Sequence, residues 1–384
     1  MRVAIVHDWL YTIGGAERVL HEIIKCYPDA DIFSLFDFLT DEDRAKIGIS
    51  KTHTSFLQKV PFVRRSHRMF LPLMPLAIEQ LDMSPYDLII TSSYAVAKGV
   101  LTGPDQVHVA YVHSPMRYAW DLQHSYLQKN GGGLKNIIAR ILLHWIRVWD
   151  TRTANGPDLM LANSNFIARR IRKVYGRKAK VLYPPVLLSQ RTAQAEQGDY
   201  FLAASRLVEY KNIEQIVRAF AELPDQKLIV AGDGPQAALL KKIATPNVEF
   251  AGFVSDSALR DLMASARAFI FAAEEDFGII SVEAQSEGTP VLALGRGGSC
   301  ETVVDGKTGL FFETPDPSAI AATVRKFIQS EDQFLSDACQ AQASRFSAER
   351  FRNELRTYVQ ETITKYNSEK TGHTSVPDPV SDIG

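Results

Sequence analysis

The feature that most constrains this chain is a regular alternation of short apolar, β-branched runs with amphipathic helical runs. The predicted strands lie at 3–8, 31–36, 87–92, 107–113, 159–163 and 180–183, and then at 200–204, 227–231, 248–251, 268–273, 290–294 and 309–312. Strands separated by single helices run parallel, because each connection crosses over the sheet. The pattern therefore predicts an α/β protein with helices on both faces of its sheets.

The run of strand–helix units is too long for one compact sheet. At about 150 residues per domain, the 384 residues suit two domains. The Tyr-Pro-Pro-Val run at 183–186, followed by the polar stretch 189–199, is the predicted break. We therefore expect two doubly wound Rossmann-like domains facing a cleft, at 1–185 and 186–345. We expect a helix at 346–368 to pack back on the N-terminal domain, and a disordered tail at 369–384.

Composition narrows the class of function. The formal net charge of −1 gives no bias toward nucleic acid. The three cysteines, Cys26, Cys300 and Cys339, have no metal-type spacing and suit a reducing compartment. The chain begins with a predicted strand rather than a signal peptide, and no apolar run reaches the length of about 18 residues that spans a membrane. We therefore expect a cytoplasmic protein.

Two carboxylates, Glu275 and Glu283, bracket a Phe-Gly pair where a predicted strand gives way to a predicted helix. The N–H groups of a helix start can face an anion, and each carboxylate can accept hydrogen bonds from hydroxyls. This arrangement favours a polyhydroxylated, phosphorylated ligand. The alternative is a pair of solvated acids beside a helix start.

Two cations, Arg206 and Lys211, lie on the loop after the predicted strand 200–204. Fixed cations at a strand end can neutralise a diphosphate, although solvated surface charges would give the same pattern. Because the glutamate segment belongs to the same domain, we favour phosphate binding.

The first domain carries two candidate ligand groups. Gly14 and Gly15 follow the first strand, where the backbone can approach a ligand closely or simply make a tight turn. His113 ends a predicted strand, and Pro115 blocks a helix just after it. An imidazole there could bind a sugar hydroxyl or assist proton transfer, whereas a lone histidine is more often structural. We favour the functional interpretation for His113.

Other local signals are weaker. The Gly-Arg-Gly-Gly-Ser loop at 295–299 could wrap a phosphate or sugar, or be a flexible turn. Gly-Asp-Gly-Pro at 232–235 is a predicted strand-to-helix turn, although its Asp233 could instead contact a ligand. Asn212 and either Ser255 or Asp256 are predicted helix N-caps.

Two stretches mix basic and apolar residues, at 56–81 and 134–152. Such stretches can lie on an anionic membrane surface or form ordinary helices packed on a sheet. The prolines Pro61, Pro72 and Pro75 prevent one long packed helix in the first stretch, so there we favour the membrane. For the second stretch we favour the packed helix.

Taken together, these motifs resemble the retaining glycosyltransferases of family 4, which have the GT-B fold. The similarity covers nearly the whole chain. It rests on Glu-x7-Glu at 275–283, Ser-Arg…Lys at 205–211 and Gly-Gly-Ala-Glu at 14–17, in the family's order. The segments IVHDWL at 5–10 and YVHSPMRYAWD at 111–121 resemble the bacterial polysaccharide branch, many of whose members use a GDP-sugar donor.

The resemblance implies a catalytic group of four residues. Arg206 and Lys211 would stabilise the leaving diphosphate, Glu275 would hold hydroxyls of the transferred sugar, and His113 would lie at the sugar–acceptor junction. Family members are described by front-face attack with retention, in which a donor phosphate oxygen takes the acceptor proton. We expect neither a metal nor another cofactor, and no Asp-x-Asp metal motif stands in a suitable loop.

The resemblance also implies a donor-binding set. Its members are Gly14 and Gly15 near the phosphates, Phe253 and Val254 at the nucleobase, Phe277, Gly278 and Ile279 for sugar and phosphate, and Glu283 for the ribose.

The expected function is transfer of mannose from GDP-mannose to a polyprenyl-diphosphate-linked oligosaccharide during synthesis of a surface polysaccharide. The N-terminal, acceptor-binding domain would lie on the inner face of the cell membrane, and the C-terminal domain would bind the donor. Alternatives are another donor (GDP-rhamnose, UDP-glucose or UDP-GlcNAc), a sugar-nucleotide epimerase with Glu17 as its carboxylate, or a silent sugar-nucleotide-binding protein.

Overall fold

A computed structural model describes residues 1–121, 123–128, 133–189, 196 and 198–372. The chain divides into two compact units. Unit 1 comprises Met1–Asn163, Ile167–Leu182 and Phe351–Gly384, and unit 2 comprises Ser164–Phe166 and Tyr183–Arg350. Most of the predicted linker 189–199 and the last 12 residues of the predicted tail, 373–384, lie outside the described residues.

Unit 1 is built on a seven-stranded parallel sheet. Its strands are β1 Val3–His7, β2 Asp31–Ser34, β3 Thr52–Thr54, β4 Leu88–Ser93, β5 Val107–Val112, β6 Leu159–Ala162 and β7 Lys180–Val181. Their spatial order is β3-β2-β1-β4-β5-β6-β7, so the order reverses between β1 and β4. In such sheets ligands bind at the carboxyl ends of the two strands where the order reverses.

The helices of unit 1 cover both faces of this sheet. They are α1 Gly15–Cys26, α2 Asp41–Ile47, α3 Val63–Ser66, α4 Met74–Glu79, α5 Gln123–Gln128, α6 Leu134–Thr153 and α7 Asn165–Tyr175, the last beginning with two residues of unit 2. Neighbouring residues of β1 enter different cores: Ala4 packs in one cluster with Ile89, and Ile5 in another with Val19 and Leu20 of α1. This alternation is why the strands are apolar on both faces.

Unit 2 repeats the plan with a six-stranded parallel sheet. Its strands are β8 Tyr200–Ala204, β9 Lys227–Ala231, β10 Val248–Gly252, β11 Ala268–Phe271, β12 Val291–Leu294 and β13 Gly309–Phe312, in the order β10-β9-β8-β11-β12-β13. Its helices are α8 Ile213–Ala221, α9 Ala237–Ile243, α10 Asp256–Ser265, α11 Ile279–Ser286, α12 Ser299–Thr302, α13 Pro317–Ile328 and α14 Ser336–Ser344. The long helix α15, Ala348–Gly372, follows.

The prediction of two Rossmann-like α/β domains with parallel sheets is confirmed. Each predicted strand exists, with ends that differ by no more than two residues. The sequence pattern missed β3, because three polar-flanked residues at the sheet edge carry no apolar run. The helix α15 continues to Gly372, so residues 369–372 are helical rather than part of a disordered tail.

One of the two predicted helix N-caps is confirmed and the other is wrong. Ser255 accepts a hydrogen bond from the Ala258 N–H and caps α10 as predicted. Asn212 precedes α8 in the left-handed region (φ 55°) and makes no capping bond, so its predicted capping role is wrong. Its amide instead donates to the Ala272 carbonyl oxygen at 2.9 Å, because the left-handed backbone points the side chain toward the neighbouring strand β11.

The prediction of a packed helix at 134–152 holds for one face of α6. Ile146 and Asp150 are buried, and Leu143 and Trp149 are partly buried against the core of unit 1. The opposite face is exposed and apolar, with Ile137, Ile138, Ile141, Leu142, Trp145 and Val148 between 37% and 66% exposed. The helix therefore packs through one face only.

Candidate active site

In unit 2 the candidate site forms where the strand order reverses, at the carboxyl ends of β8 and β11. These two strands pair directly, so the loops that leave them are neighbours. The loop after β8 carries Arg206 and Lys211, and the loop after β11 carries Glu275. Two segments some sixty residues apart in sequence thus meet because of the sheet order alone.

Lys211 and Glu275 form an ion pair between their Nζ and Oε1 atoms. Their side chains are 16% and 21% exposed, so the pair is largely shielded but still reachable from solvent. The Lys211 ammonium also lies 5.4 Å from the centre of the Tyr210 ring. Arg206 is exposed on the same loop. The sequence predicted these three charges as a group, and the structure brings Lys211 and Glu275 into contact.

The start of α11 lies directly after Glu275. Gly278 precedes the helix with φ +85°, a conformation that side chains disfavour, and this turns the chain sharply from the loop into the helix. Phe277 is a core residue, with its ring centre 5.2 Å from that of Phe346. Ile279 begins the helix and Glu283 lies partly buried one turn further on. The phenylalanine thereby anchors a helix start whose first N–H groups have no partner within the helix.

The glycine-rich loop after β12, residues 295–299, packs against the backbone of Glu275 and Phe277. The Gly298 N–H donates to the Glu275 carbonyl oxygen at 2.8 Å. A Cβ on Gly297 would lie 2.6 Å from that same oxygen, and one on Gly298 would lie 2.6 Å from backbone atoms of Phe277. The loop at 295–299 is thus a packed support rather than a flexible turn, and it leads into α12, where Cys300 is exposed.

The Arg206 loop has a similar support from the predicted turn at 232–235. The Leu207 N–H donates to the Asp233 carbonyl oxygen at 2.9 Å, and a Cβ on Gly234 would lie 2.5 Å from the Leu207 carbonyl oxygen. The Asp233 side chain accepts from the Gly234 N–H, which fits the predicted turn. Backbone packing therefore fixes both loops of the candidate site.

Phe253 and Val254 follow β10, two strands away from Lys211 in the sheet order. The Phe253 side chain is 84% exposed, and Val254 packs partly against the core. An exposed aromatic ring at a strand end is available for stacking on a flat ligand.

In unit 1 the equivalent position, at the ends of β1, β4 and β5, holds buried polar groups. His113 directly follows β5 and is nearly buried, with its Nε2 atom 2.9 Å from the Ser92 Oγ atom. The same hydroxyl lies 3.1 Å from His7 Nδ1, and His7 Nε2 lies 3.4 Å from Glu17 Oε1. Burial, together with the nearby His7, lowers the pKa of His113 from 6.5 to about 3, so its imidazole is neutral.

Gly14 lies at the start of α1, as predicted for a loop that approaches a ligand. Its N–H is already used, however, because it donates to Glu17 Oε2 at 2.8 Å. Gly15 is exposed and begins the helix. The sequence left open a close approach to a ligand or a tight turn, and the structure shows that the Gly14 N–H has a partner within the protein.

Sequence reasoning missed a second layer of buried charge in unit 1. Asp8 accepts four backbone N–H bonds from Tyr94, Ala95, Val96 and Ala97, at 2.6 to 2.9 Å. Burial still raises the pKa of this carboxyl. The Asp-Trp pair at 8–9 offered no signal, because the chain segment that receives the carboxylate lies more than eighty residues away.

Lys98 and Asp150 are the other missed pair. They form a buried ion pair, with side chains 2% and 0% exposed. Asp150 also accepts from Trp120 Nε1 at 2.8 Å and from the Tyr175 hydroxyl at 3.0 Å. This network ties α6 to the loop after β4 and so to the strand that carries Ser92.

Two features are absent from the part of the chain that the structure describes. No group of three His, Cys, Asp or Glu side chains within it is arranged to hold a metal ion. None of its helices is long and apolar enough to cross a membrane.

Comparison with known proteins gives matches over most of the chain. The family model for glycosyltransferase family 4 matches residues 13–190, and that for glycosyl transferases group 1 matches residues 188–345. A relative from Mycolicibacterium smegmatis, a GDP-mannose-dependent alpha-(1-6)-phosphatidylinositol monomannoside mannosyltransferase, is 29% identical over 204 residues. That match covers 45% of this chain and 53% of the relative, so the chain spans about half the length of this curated relative.

Two further matches cover more of the chain. The alpha-1,3/1,6-mannosyltransferase alg2 of Schizosaccharomyces pombe is 26% identical over 370 residues, which covers 80% of this chain and 70% of that protein. The structure of an Anabaena protein, Alr3699/HepE, in complex with UDP and glucose is 20% identical with a TM-score of 0.67, covering 94% of this chain and 99% of that one. At that identity the structural likeness establishes the fold.

The fold and the family models together define the class, which is that of the two-domain glycosyltransferases with the GT-B fold. Within that class the chain belongs to the family 4-like glycosyltransferases, as its sequence motifs predicted.

Proposed function

We propose that this protein transfers a hexose, mannose from GDP-mannose, to a polyprenyl-diphosphate-linked oligosaccharide, with retention of configuration. The observation that carries the proposal is the Lys211–Glu275 pair at the reversal of the strand order in unit 2, directly before the start of α11. The pair sets a cation and a sugar-binding carboxylate side by side, and the helix start adds N–H groups for an anion.

In this proposal Lys211 and Arg206 stabilise the diphosphate as it leaves, and Glu275 holds hydroxyls of the transferred sugar. Glu283 binds the ribose, and exposed Phe253 with Val254 contacts the base. Fixed cations and N–H groups lower the barrier most when they face the position where negative charge develops. We propose that the reaction needs no bound metal, and activity that persists with EDTA would support this.

Mannose as the sugar is supported by the names of two relatives, which are mannosyltransferases, and GDP as the carrier is supported by the name of one of them. Another donor, such as GDP-rhamnose, UDP-glucose or UDP-GlcNAc, is the alternative. The epimerase alternative depended on Glu17, and this carboxylate is buried and bonded to Gly14 and His7.

The first experiment is a thermal-shift screen with GDP-mannose, GDP-rhamnose, UDP-glucose and UDP-GlcNAc. A ligand that binds only the native state at about 100 times its Kd stabilises that state by about 2.7 kcal/mol, which raises Tm by several degrees. We expect the largest shift with GDP-mannose and little shift in Lys211→Met. A larger shift with UDP-glucose or UDP-GlcNAc would mean that the donor is a UDP-sugar rather than GDP-mannose. No shift with any donor would overturn the proposed function.

Transfer itself is then tested with radiolabelled GDP-mannose and a synthetic polyprenyl-diphosphate-linked disaccharide. We expect a labelled trisaccharide whose new anomeric centre keeps the α configuration of the donor, as seen by NMR. Binding without turnover on any acceptor would favour the silent sugar-nucleotide-binding alternative.

We also propose that unit 1 rests on the inner face of the cell membrane. Exposed Phe62, Met69 and Leu76 lie in the 56–81 stretch, where Arg64 and Arg65 are exposed as well. The exposed face of α6 adds Ile137, Ile138, Ile141 and Trp145, with exposed cations at Lys135 and Arg140. Apolar side chains among cations suit an anionic bilayer, since each supplies a separate part of the binding energy.

A vesicle-sedimentation assay tests this association. We expect binding to vesicles containing phosphatidylglycerol, weaker binding to pure phosphatidylcholine, and weaker binding of the double variant Ile141→Ser/Trp145→Ser to both. The matched control is Leu239→Ser, since Leu239 is an exposed apolar residue of α9 in unit 2. Equal sedimentation of the double variant and the parent would contradict the membrane assignment.

A further inference from the structure

Three polar side chains that the proposed function does not use form a chain that ends at His113. Glu17 Oε1 lies 3.4 Å from His7 Nε2, His7 Nδ1 lies 3.1 Å from Ser92 Oγ, and Ser92 Oγ lies 2.9 Å from His113 Nε2. All four residues are buried, at 0% to 9% exposure. Since water does not compete for them, each must donate or accept in a way that suits both neighbours.

The direction of the chain follows from its first member. The Glu17 carboxylate accepts from the Gly14 N–H at 2.8 Å through Oε2, which leaves Oε1 as the acceptor that faces His7. His7 Nε2 therefore carries the proton toward Glu17. If His7 carries this proton alone, its Nδ1 is an acceptor, and the Ser92 hydroxyl then donates its single proton to Nδ1.

The same argument gives the position of the proton on His113. Because the Ser92 proton is directed to His7, Ser92 Oγ can only accept from His113, and the proton of His113 lies on Nε2. Burial lowers the pKa of this imidazole from 6.5 to about 3, so it is neutral. Its other nitrogen, Nδ1, is then an acceptor, and no hydrogen bond to it is found among the described residues.

We infer that Glu17, acting through His7 and Ser92, holds His113 as the Nε2–H tautomer, so that Nδ1 presents a hydrogen-bond acceptor to a substrate hydroxyl. Glu17, His7 and Ser92 are thus positioning residues, and only His113 would touch the substrate. The use of Nδ1 by a sugar or acceptor hydroxyl rests on the proposed function, whereas the tautomer does not.

The substitution Glu17→Gln tests this direction with almost no change in shape. The amide oxygen of Gln can accept from the Gly14 N–H, which places its NH₂ group toward His7 Nε2. His7 must then accept at Nε2 and donate from Nδ1 to Ser92. Ser92 in turn donates to His113 Nε2, and the proton of His113 moves to Nδ1. One substitution therefore reverses every bond in the chain.

The experiment is ¹H–¹⁵N NMR on full-length protein with ¹⁵N-labelled histidine, since nitrogen shifts separate protonated from unprotonated ring nitrogens. The chain has nine histidines, and His113→Asn identifies the His113 signals by their loss. We expect the Nε2–H tautomer of His113 in the parent and the Nδ1–H tautomer in Glu17→Gln. Ser92→Ala should leave His113 as a mixture of both, and Ser92→Thr should restore the parent tautomer.

The matched control is Glu22→Gln, because Glu22 is a buried acid of the same helix α1 that pairs with Lys25 and Arg352 instead. It should leave the His113 signals unchanged. An Nδ1–H tautomer in the parent, or an unchanged His113 tautomer in a folded Glu17→Gln variant, would overturn the inference.

Activity provides a second, separate measurement. With GDP-mannose and an octyl α-mannoside acceptor, we expect kcat to fall about tenfold in Glu17→Gln, the effect of one lost hydrogen bond, with KM for the donor nearly unchanged. If the parent shows no transfer at all, the proposed function fails while the NMR result still decides the tautomer.

Discussion

The two units share one backbone plan, but the polar side chains at their strand ends differ in burial and charge. In both, a parallel sheet reverses its strand order beside its first strand, and polar side chains cluster at the strand ends there. In unit 1 these groups are buried, as His7, Ser92 and His113 illustrate, and the imidazole of His113 is neutral. In unit 2 they are partly exposed charges, Lys211 and Glu275, and the sequence from 183 to 350 contains no histidine at all. The comparison shows that loop residues rather than the sheet decide what each strand end can bind.

The largest effect should come from the charges of unit 2. We expect Lys211→Met to reduce kcat for sugar transfer by at least about a hundredfold, because a fixed cation facing a leaving diphosphate stabilises the transition state. Steady-state rates with GDP-mannose measure this, and circular dichroism checks the fold.

The control for that substitution is Arg218→Met. Arg218 is a basic residue of α8 in the same unit, paired with Glu214 and half-exposed. It should retain parent activity. Equal losses in both variants would mean that Lys211 acts only through general stability.

The next largest effect should be on the stability of unit 1. Lys98→Met leaves Asp150 as a buried charge without its cation, which costs about 3–5 kcal/mol. Urea unfolding measures the loss. Lys180→Met is the control, because its pair with Glu361 is about half-exposed and is worth at most about 1 kcal/mol. A loss below that of the control would show that the remaining partners of Asp150, Trp120 and Tyr175, suffice.

A smaller stability loss is expected from the glycine support of unit 2. Gly298→Ala puts a methyl group against the Phe277 backbone, and overpacking of this kind costs about 1–3 kcal/mol. Because the shifted segment carries Glu275, transfer should fall as well. Gly295→Ala lies in the same loop but meets Phe311 at an ordinary 3.4 Å, so it should be tolerated. Equal Tm values for Gly298→Ala and Gly295→Ala would show that Gly298 is not tightly packed against the Phe277 backbone.

The last effect, a pH dependence, comes from two buried histidines of unit 1. Burial lowers the pKa of both His108 and His113 from 6.5 to about 3, so between these values the unfolded chain binds more protons than the folded one. Their contribution to stability is complete above pH 6.5 and is lost as the pH falls toward 3, at up to about 1.4 kcal/mol per pH unit for each.

Urea unfolding at pH 7 and pH 5 checks this dependence. His108→Gln keeps a hydrogen-bonding group beside Thr91 but removes one titration, so it should roughly halve the histidine part of the slope. An identical slope in parent and variant would contradict the buried neutral state of His108.

Sequence patterns predicted the fold well, because apolar periodicity reports directly on burial. They also placed Lys211 and Glu275 in one domain as parts of one phosphate-binding site, whereas the contact between the two depends on the pairing of β8 with β11. They failed at β3 and at Asn212. A three-residue edge strand carries little apolar signal, and nothing local shows that an asparagine adopts the left-handed region.

The unit 1 network could not be predicted in the same way. His7 and Ser92 are 85 positions apart, and their contact depends on the register of β1 against β4. The burial of Lys98 with Asp150 depends likewise on how α6 packs. Such contacts arise from tertiary structure, and single residue types in the sequence do not mark them.

The three cysteines differ in how accessible their thiols are to a modifying reagent. Burial raises the pKa of Cys339 to about 12 and that of half-buried Cys26 to about 11, so neither thiol ionises readily near neutral pH. Cys300 is exposed on α12, just after the glycines that support Glu275 and Phe277. A maleimide dye should therefore attach mainly at Cys300 in the unmodified sequence, and its fluorescence would report when a ligand settles beside that loop.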